Sequence, residues 1–277
     1  MGIPIQYIDV NGIRLRYIKA GKGPNLVLLH TLRTQLDLFQ KVIPQLARDF
    51  TVYALDYPGH GFSDIPQTDY RPELFIKTVG GFLEQTDIRD ATLAGVSIGA
   101  CIPLLLAADG NARIRKIVAV NPYDYARGRG MTRANFVAWL IFTSARVPVF
   151  GETVMRLRNR MVERLIMQGG VAAPGALPAE FLTQMFDAGA RPGHYRAFLN
   201  LIRNAYLWDE GHRVYGRIRV PVLLVYGDHD WSRPEERRRT AGNIPGSRVE
   251  TVADGGHFLP LDQPERVAEL IKGFAQP

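Results

Sequence analysis

The chain has a single cysteine, Cys101, among its 277 residues. One cysteine cannot form a disulfide within the chain, which fits a reducing compartment. Long apolar runs are also lacking, since the longest, near Phe136 to Phe142, is far shorter than the roughly 20 residues that span a bilayer. The first residues show no charged and apolar signal pattern. We therefore expect a cytoplasmic protein without a transmembrane segment.

Metal-ligand spacings are absent from the six histidines, so the sequence predicts no metal. The sequence implies no cofactor either. The formal net charge is +7, but the basic residues are scattered and no nucleic-acid-binding module is recognisable. We expect no nucleic-acid partner. With 46% hydrophobic and 22% charged residues, the chain can bury a large core.

The sequence Gly95-Val96-Ser97-Ile98-Gly99 lies between a strand-like run, Ala91 to Val96, and a helix-like run, Ile98 to Ala108. A serine on a sharp strand-to-helix turn needs neighbours without side chains two residues away on either side, which explains both glycines. The turn also leaves the Ile98 N–H at a helix N-terminus, where it can stabilise an oxyanion. The pattern predicts a nucleophile elbow, and the alternative is an ordinary serine at a helix N-cap.

A serine hydroxyl becomes a good nucleophile when a histidine takes its proton and a carboxylate orients that histidine. The strand predicted at Val222 to Tyr226 runs into Gly227-Asp228-His229-Asp230, which offers two carboxylates. A short strand predicted at Arg248 to Val252 leads into Gly255-Gly256-His257-Phe258, a flexible loop that presents His257 as the base. The residues alone leave Asp228 and Asp230 as rival acids.

The order of serine, acid and histidine resembles that of the alpha/beta-hydrolase fold superfamily. Val27-Leu28-Leu29-His30 resembles that family's third core strand, and Asp56 to Ser63 resembles its D-x-P-G-x-G-x-S segment. The resemblance implies that Asp230, three residues after the strand-ending glycine, is the acid. It also implies that the N–H groups of Leu32 and Ile98 form the oxyanion hole.

One position departs from most members of that family. Thr31 replaces the glycine that most members carry after the histidine, and its branched side chain restricts the backbone that places the Leu32 donor.

In the family that this sequence resembles, haloalkane dehalogenases and epoxide hydrolases need an aspartate where this chain has Ser97. Serine therefore argues against those two reactions.

Strand and helix patterns alternate along the chain, as a mostly parallel sheet covered by helices on both faces requires. The resemblance implies an α/β fold with the family's eight-stranded type of sheet. The chain opens with a predicted hairpin, in which Asn11-Gly12 joins two strands. The other predicted elements include strands and helices on both sides of the elbow: strands at Ile5 to Val10, Ile13 to Ile18, Asn25 to His30 and Thr51 to Leu55, and helices at about Asp37 to Arg48, Pro72 to Thr86 and Pro264 to Phe274.

This alternation stops after a strand predicted at Ile114 to Val120 and resumes only at Val220-Pro221. We interpret residues 124–213 as a helical cap, or lid, inserted after the sixth strand. Residues 1–123 and 214–277 then form the alpha/beta-hydrolase core. Because ligands of open α/β sheets bind outside the carboxyl ends of the strands, the cap is expected to cover the site.

The predicted cap contains twelve arginines and no lysine, and it carries most of the net positive charge. Large apolar residues recur at Phe136 to Phe142 and again from Met155 to Met167. One interpretation is an apolar acyl pocket with a basic rim for an anionic group, such as that of an acyl carrier or an anionic lipid surface. The other is a helical cap whose arginines are solvated.

Four further residues are candidates for contact with a substrate: Arg33, His30, Trp139 and Phe258. Arg33 could bind a carboxylate or phosphate in the cleft, or it could pair with Asp37 one helical turn on. Cys101 is expected to be a small buried residue rather than a second nucleophile.

The predicted reaction is hydrolysis of a carboxylic ester with an apolar acyl or alcohol part. The alternatives are a thioesterase acting on a carrier-linked or coenzyme A-linked acyl chain, a cofactor-free lyase or C–C hydrolase, and a slow-turnover ligand receptor, since one triad serves many reactions. A homodimer is left open, because a dimer interface and an apolar cap face look alike in sequence.

Overall fold

The computed structural model describes residues 2–147, 149–156 and 159–276, with the backbone alone at 154–156. Within these residues eight strands form one sheet, which confirms the predicted fold class. The strands are β1 (Ile5–Val10), β2 (Ile13–Ala20), β3 (Asn25–Leu29), β4 (Thr51–Leu55), β5 (Ala91–Val96), β6 (Ile114–Val120), β7 (Val222–Gly227) and β8 (Arg248–Val252).

Their order across the sheet is β1-β2-β4-β3-β5-β6-β7-β8. β2 pairs antiparallel with both β1 and β4, and the pairings from β4 to β8 are parallel. β5 therefore lies between β3 and β6. The loops that follow β3 and β5 open at the same edge, because parallel strands end on the same side of a sheet.

The hairpin predicted at Asn11-Gly12 is present. Both turn residues have positive φ, 55° at Asn11 and 79° at Gly12. Positive φ at both central residues is what a two-residue hairpin turn with the right twist requires. The Gly12 N–H is held by the Asp9 carboxylate at 2.9 Å.

Eleven α-helices lie in the described ranges: α1 (Ile43–Leu46), α2 (Pro72–Gln85), α3 (Ile98–Ala108), α4 (Phe136–Ser144), α5 (Phe150–Arg156), α6 (Arg160–Gln168), α7 (Ala179–Gly189), α8 (His194–Arg203), α9 (Pro234–Asn243), α10 (Leu259–Asp262) and α11 (Pro264–Ala275). Five short 3₁₀ helices accompany them: Leu36–Phe39, Ala126–Gly128, Gly130–Arg133, Ala205–Arg213 and Tyr215–Arg217. None of the helices described is long and apolar enough to cross a membrane.

The single helix predicted at about Asp37 to Arg48 is wrong. The chain instead forms the 3₁₀ helix Leu36–Phe39 and then the single turn α1. Pro44 explains the break, because proline has no N–H to donate and its ring would clash with the carbonyl of Gln40.

The core lies on both faces of the sheet because side chains alternate along each strand. On β3, Val27 and Leu29 pack in the same cluster as α2 and α3. Leu26 and Leu28 face the opposite side, where they share a cluster with residues of α1 and α11.

Between β6 and β7 the chain forms α4 to α8. We call residues 124–213 the cap segment. Its limits as a separate domain stay a prediction, and Leu157 and Arg158, within the second apolar row, lie outside the described residues.

Candidate active site

Ser97 lies between β5 and α3 with φ 62° and ψ −120°, a conformation that costs energy for a residue with a side chain. The two glycines of the motif are required by close backbone contacts. A Cβ on Gly95 would lie 1.9 Å from the Gly99 carbonyl oxygen, and one on Gly99 would lie 2.2 Å from the Leu29 carbonyl oxygen. The Ser97 side chain makes no capping hydrogen bond to α3. The geometry is therefore that of an elbow and not of an ordinary N-cap.

The loop after β3 orients the Leu32 N–H. The Thr31 carbonyl accepts hydrogen bonds from His30 Nδ1 at 2.8 Å and from the Thr34 hydroxyl at 2.9 Å. A trans peptide directs its N–H away from its carbonyl, so the Leu32 N–H points to the opposite side. None of the hydrogen bonds found in the described ranges uses this N–H. Thr31 itself avoids positive φ, which the loop places at Arg33 instead (63°).

His30 therefore stabilises the loop through its hydrogen bond to the Thr31 carbonyl. It is fully buried, and burial lowers its pKa to about 3, so the ring is neutral. Nδ1 donates to Thr31, while Nε2 accepts the Tyr57 N–H at 3.4 Å. Its ring packs on Tyr57, with centroids 4.2 Å apart, and it does not line the cavity described below.

Asp230 and His257 form a buried pair, with Nδ1 of His257 2.6 Å from Oδ1 of Asp230. The other Asp230 oxygen accepts the Ser232 N–H at 2.9 Å. Burial acts to raise the pKa of Asp230, but the hydrogen bonds from His257 and Ser232 outweigh it, so this pKa lies below its usual value. Asp230 is therefore an ionised acceptor at neutral pH.

Asp228, the rival acid, lies on the surface. Its Oδ1 accepts the Gly255 N–H at 3.0 Å and is 3.8 Å from Nε2 of His229. It thereby ties the end of β7 to the loop that carries His257. The geometry favours Asp230 as the partner of the histidine.

Two aromatic residues at this pair were missed by the sequence analysis. The Tyr125 hydroxyl donates to the Asp230 carboxylate, 3.3 Å from each oxygen. Trp231 stacks flat on the His257 imidazole, with centroids 3.8 Å apart and planes inclined by 12°. Trp231 directly follows the predicted acid, and this adjacency is a sequence signal that could have identified it as a residue of the site. Tyr125 lies 105 residues from Asp230 and has no local signal.

Ser97 and His257 line the same cavity, whose volume is about 30 Å³. Ser97 Oγ and His257 Nε2 are both buried, and neither is hydrogen-bonded to another described residue. Among the predicted residues, Leu32, Arg33 and Phe258 also line the cavity. The remaining wall is largely apolar, and it includes the following residues of the cap segment: Met131, Ala134, Phe142, Ile166, Met167 and Phe198.

Trp139 does not line this cavity. It is half-exposed and stacks on Phe136, with centroids 5.8 Å apart.

The predicted alternative that Arg33 pairs with Asp37 is wrong. Arg33 Nη2 lies 3.2 Å from Oε1 of Glu163 on α6, whereas Asp37 pairs with Arg16. The positive φ of Arg33 is not helical, so residues 33 and 37 do not face each other as helical neighbours do.

Several cap arginines have structural partners. Arg133 forms a forked pair with Glu236, and Arg191 donates to the carbonyls of Gly61 and Ser63 at 2.7 Å. These bonds fasten the cap segment to the rest of the fold.

Cys101, on α3, is fully buried, as expected for a small core residue.

A parallel sheet that carries a serine elbow, with an aspartate and a histidine on the loops after later strands, is the arrangement of an α/β hydrolase. The profile of the alpha/beta hydrolase fold family matches residues 24–264, which is most of the chain. The protein belongs to this family.

Its relatives include hydrolases of different kinds. The uncharacterized hydrolase YugF of Bacillus subtilis is 26% identical, over 98% of this chain and 97% of its own length. A haloalkane dehalogenase of Psychrobacter cryohalolentis is 29% identical, over 95% of this chain and 87% of its own length. The structure of the haloalkane dehalogenase DbeA from Bradyrhizobium elkani matches with a TM-score of 0.86 and 21% identity, covering 99% of this chain and 97% of that one. Family and relatives together support hydrolase activity.

Proposed function

We propose that this protein is a serine hydrolase that cleaves carboxylic esters through an acyl-enzyme. In this proposal Ser97 is the nucleophile, His257 the general base, and Asp230 the acid that fixes the histidine tautomer. The observation that carries it is the 2.6 Å bond between His257 Nδ1 and Asp230. That bond leaves Nε2 as the free ring nitrogen, in the same cavity as the Ser97 hydroxyl.

The reaction begins when Nε2 of His257 takes the Ser97 proton and Oγ adds to the ester carbonyl. The N–H groups of Ile98 and Leu32 then hold the oxyanion of the tetrahedral intermediate. His257 protonates the leaving alcohol, and the acyl group stays on Ser97. Water activated by the same imidazole hydrolyses this ester and restores the serine. The apolar wall of the cavity favours an acyl or alcohol part without many polar groups.

Dehalogenation is a poor fit to a serine, although some relatives are haloalkane dehalogenases. Displacement of a halide by Ser97 Oγ would leave an alkyl ether. An ether has no carbonyl for water to attack, so the enzyme would stay alkylated after one turnover. A carboxylate nucleophile avoids this end point because its alkylated form is an ester. Serine in the elbow therefore supports acyl chemistry.

The test is steady-state hydrolysis of p-nitrophenyl esters from acetyl to palmitoyl, with halide release from 1-chlorobutane and 1-bromobutane measured alongside. We expect ester turnover with a chain-length optimum, no sustained halide release, and a loss of at least about 10³-fold in kcat for Ser97→Ala. Ser247→Ala, at a serine that precedes β8 and does not line the cavity, is the matched control. No turnover of any ester by the wild type, or equal turnover by Ser97→Ala, would refute the proposal.

A further inference from the structure

Arg33 is the one permanently charged side chain among the described residues that line the cavity. It follows Leu32 directly, so its backbone continues the loop that offers the proposed oxyanion donor. The guanidinium lies 4.7 Å from the centre of the Phe198 ring, which faces the same cavity. An arginine at this place puts five N–H donors beside the space where a substrate would lie.

The counter-ion of Arg33 comes from the cap segment and not from its own loop. Glu163 on α6 approaches Arg33 Nη2 to 3.2 Å, and the side chains are only 15% and 6% exposed for Arg33 and Glu163. Removing two charges from water is costly, and their attraction offsets that cost only in part. Arg33 also has a left-handed backbone, which is costly for a residue with a side chain. Costs of this kind concentrate at functional sites.

Glu163 also lines a second cavity, of about 210 Å³, which is bounded by residues of α6 and α7. Arg160 and Arg164 line that cavity with it. Arg160 precedes Glu163 by three residues on the helix, a spacing at which side chains meet. Arg160 also pairs with Asp187 on α7, its Nη2 lying 3.5 Å from Oδ1, so a Glu163 carboxylate that leaves Arg33 would share Arg160 and still have Arg164 nearby as a counter-charge.

We infer that Arg33 binds a carboxylate of the substrate, and that the Glu163 carboxylate occupies this place in the free enzyme. The inference rests on the proposed esterase function and narrows it to esters that carry an anionic carboxylate, such as half-esters of dicarboxylic acids. The planar guanidinium suits a carboxylate because two parallel N–H groups can meet its two oxygens. When the substrate enters, Glu163 turns toward Arg160 and Arg164.

The experiment compares two esters that differ in one charge, mono-4-nitrophenyl glutarate and its methyl ester. The measured quantity is the ratio of kcat/KM for the anionic ester to that for the neutral ester. We expect wild type to favour the anion, Arg33→Met to lower the ratio at least tenfold, and Glu163→Gln to raise it through a lower KM for the anion. Arg196→Met is the matched control, because Arg196 is an exposed cap arginine whose loss changes the net charge equally. Its ratio should stay that of the wild type.

An unchanged ratio in Arg33→Met, or a ratio that falls in Glu163→Gln, would overturn the inference. A binding measurement separates this failure from failure of the esterase proposal. Calorimetry of the Ser97→Ala protein with monomethyl glutarate should show binding that is lost on adding Arg33→Met. If esters are not hydrolysed but this binding depends on Arg33, the carboxylate site stands and the proposed reaction falls. If esters are hydrolysed but the binding does not depend on Arg33, the proposed reaction stands and the carboxylate site falls.

Discussion

The indole of Trp231 covers one face of the His257 imidazole. In the proposed reaction this imidazole becomes a cation each time it takes the Ser97 proton. The face of a tryptophan ring attracts a nearby cation by about 0.5–2 kcal/mol, depending on solvation. The flat contact also restrains the ring while Asp230 holds Nδ1. A residue that takes no part in the proton transfer can thus contribute to the rate.

We expect kcat for ester hydrolysis to fall about fivefold to tenfold in Trp231→Leu, since a stack of this kind contributes about 1 kcal/mol. Trp231→Phe keeps an aromatic face and should retain most of the rate. Side-by-side kinetics of the two variants give the result. An equal loss in both would mean that the hydrogen bond from Nε1 to the Gly169 carbonyl, and not the stack, is what counts.

Asp124 is a buried carboxyl whose protonation is linked to folding. Burial raises its pKa to about 7, against the hydrogen bond that it accepts from the Thr240 hydroxyl at 2.9 Å. His212 and Arg239 approach it from other elements, Nε2 of His212 at 3.6 Å from the carboxylate and Arg239 at its backbone carbonyl. The folded protein keeps the Asp124 proton up to about pH 7, whereas the unfolded chain loses it near the ordinary aspartate pKa of about 4.

Because the folded state binds more protons between about pH 4 and pH 7, the free energy of unfolding should fall as the pH rises through that range. Asp124→Asn removes this titration. We expect the variant to be more stable than wild type at pH 8 and to lose that advantage by pH 5. Thermal unfolding midpoints at both pH values measure the effect. A difference that does not change with pH would show that Asp124 titrates in its ordinary range.

At the scale of elements, the segment after α6 and the loop that carries His257 form one hydrogen-bonded unit. The Phe258 N–H donates to the Gly170 carbonyl at 2.7 Å. The Asp262 carboxylate accepts the N–H groups of Ala172, Ala173 and Gly256 at 2.9–3.2 Å. A Cβ on Gly170 would lie 2.3 Å from the Phe258 ring, so this ring packs directly against the Gly170 backbone. The position of the cap segment is therefore tied to that of the histidine.

Asp262→Asn is expected to weaken this unit, because the amide nitrogen would face backbone N–H donors. The cost should be about 1–3 kcal/mol of unfolding free energy, with a lower kcat on every ester, since the His257 loop loses an anchor. Asp254→Asn is the control, an exposed residue of the same loop whose positive φ suits asparagine. Denaturant unfolding and ester kinetics measure both variants. Equal behaviour of the two would contradict a shared anchor.

For the whole molecule, the parts that could be predicted from the sequence are those with a local cause. The bounds of β1, β4, β5, β6, β8 and α3 agree with the prediction. For β4, β5 and β6 the cause is that buried strands appear in the sequence as apolar runs between turn residues. Ser97 has its glycine frame, and Asp230 and His257 each follow a strand. The helix predicted over 37–48 does not form as one helix, because Pro44 interrupts it.

Contacts that join distant parts of the chain could not be predicted in this way. Arg33 and Glu163 lie 130 residues apart, and no local pattern records that α6 would pack over the loop after β3. The bonds from Tyr125 to Asp230 and from Trp231 to Gly169 are of the same kind. Local chemistry indicated which residues could react, whereas packing decided which residues surround them.

The steric limits at the elbow also bear on how such enzymes diverge. The close contacts fall on Gly95 and Gly99, whereas the side chain at position 97 lines the buried cavity. Selection can therefore exchange the nucleophile without rebuilding the backbone, whereas neither glycine can vary. Under the proposed function, the side chain at this one position decides between acyl transfer by a serine and alkyl transfer by a carboxylate. Sequence distance across the family is in that sense a poor guide to chemical distance.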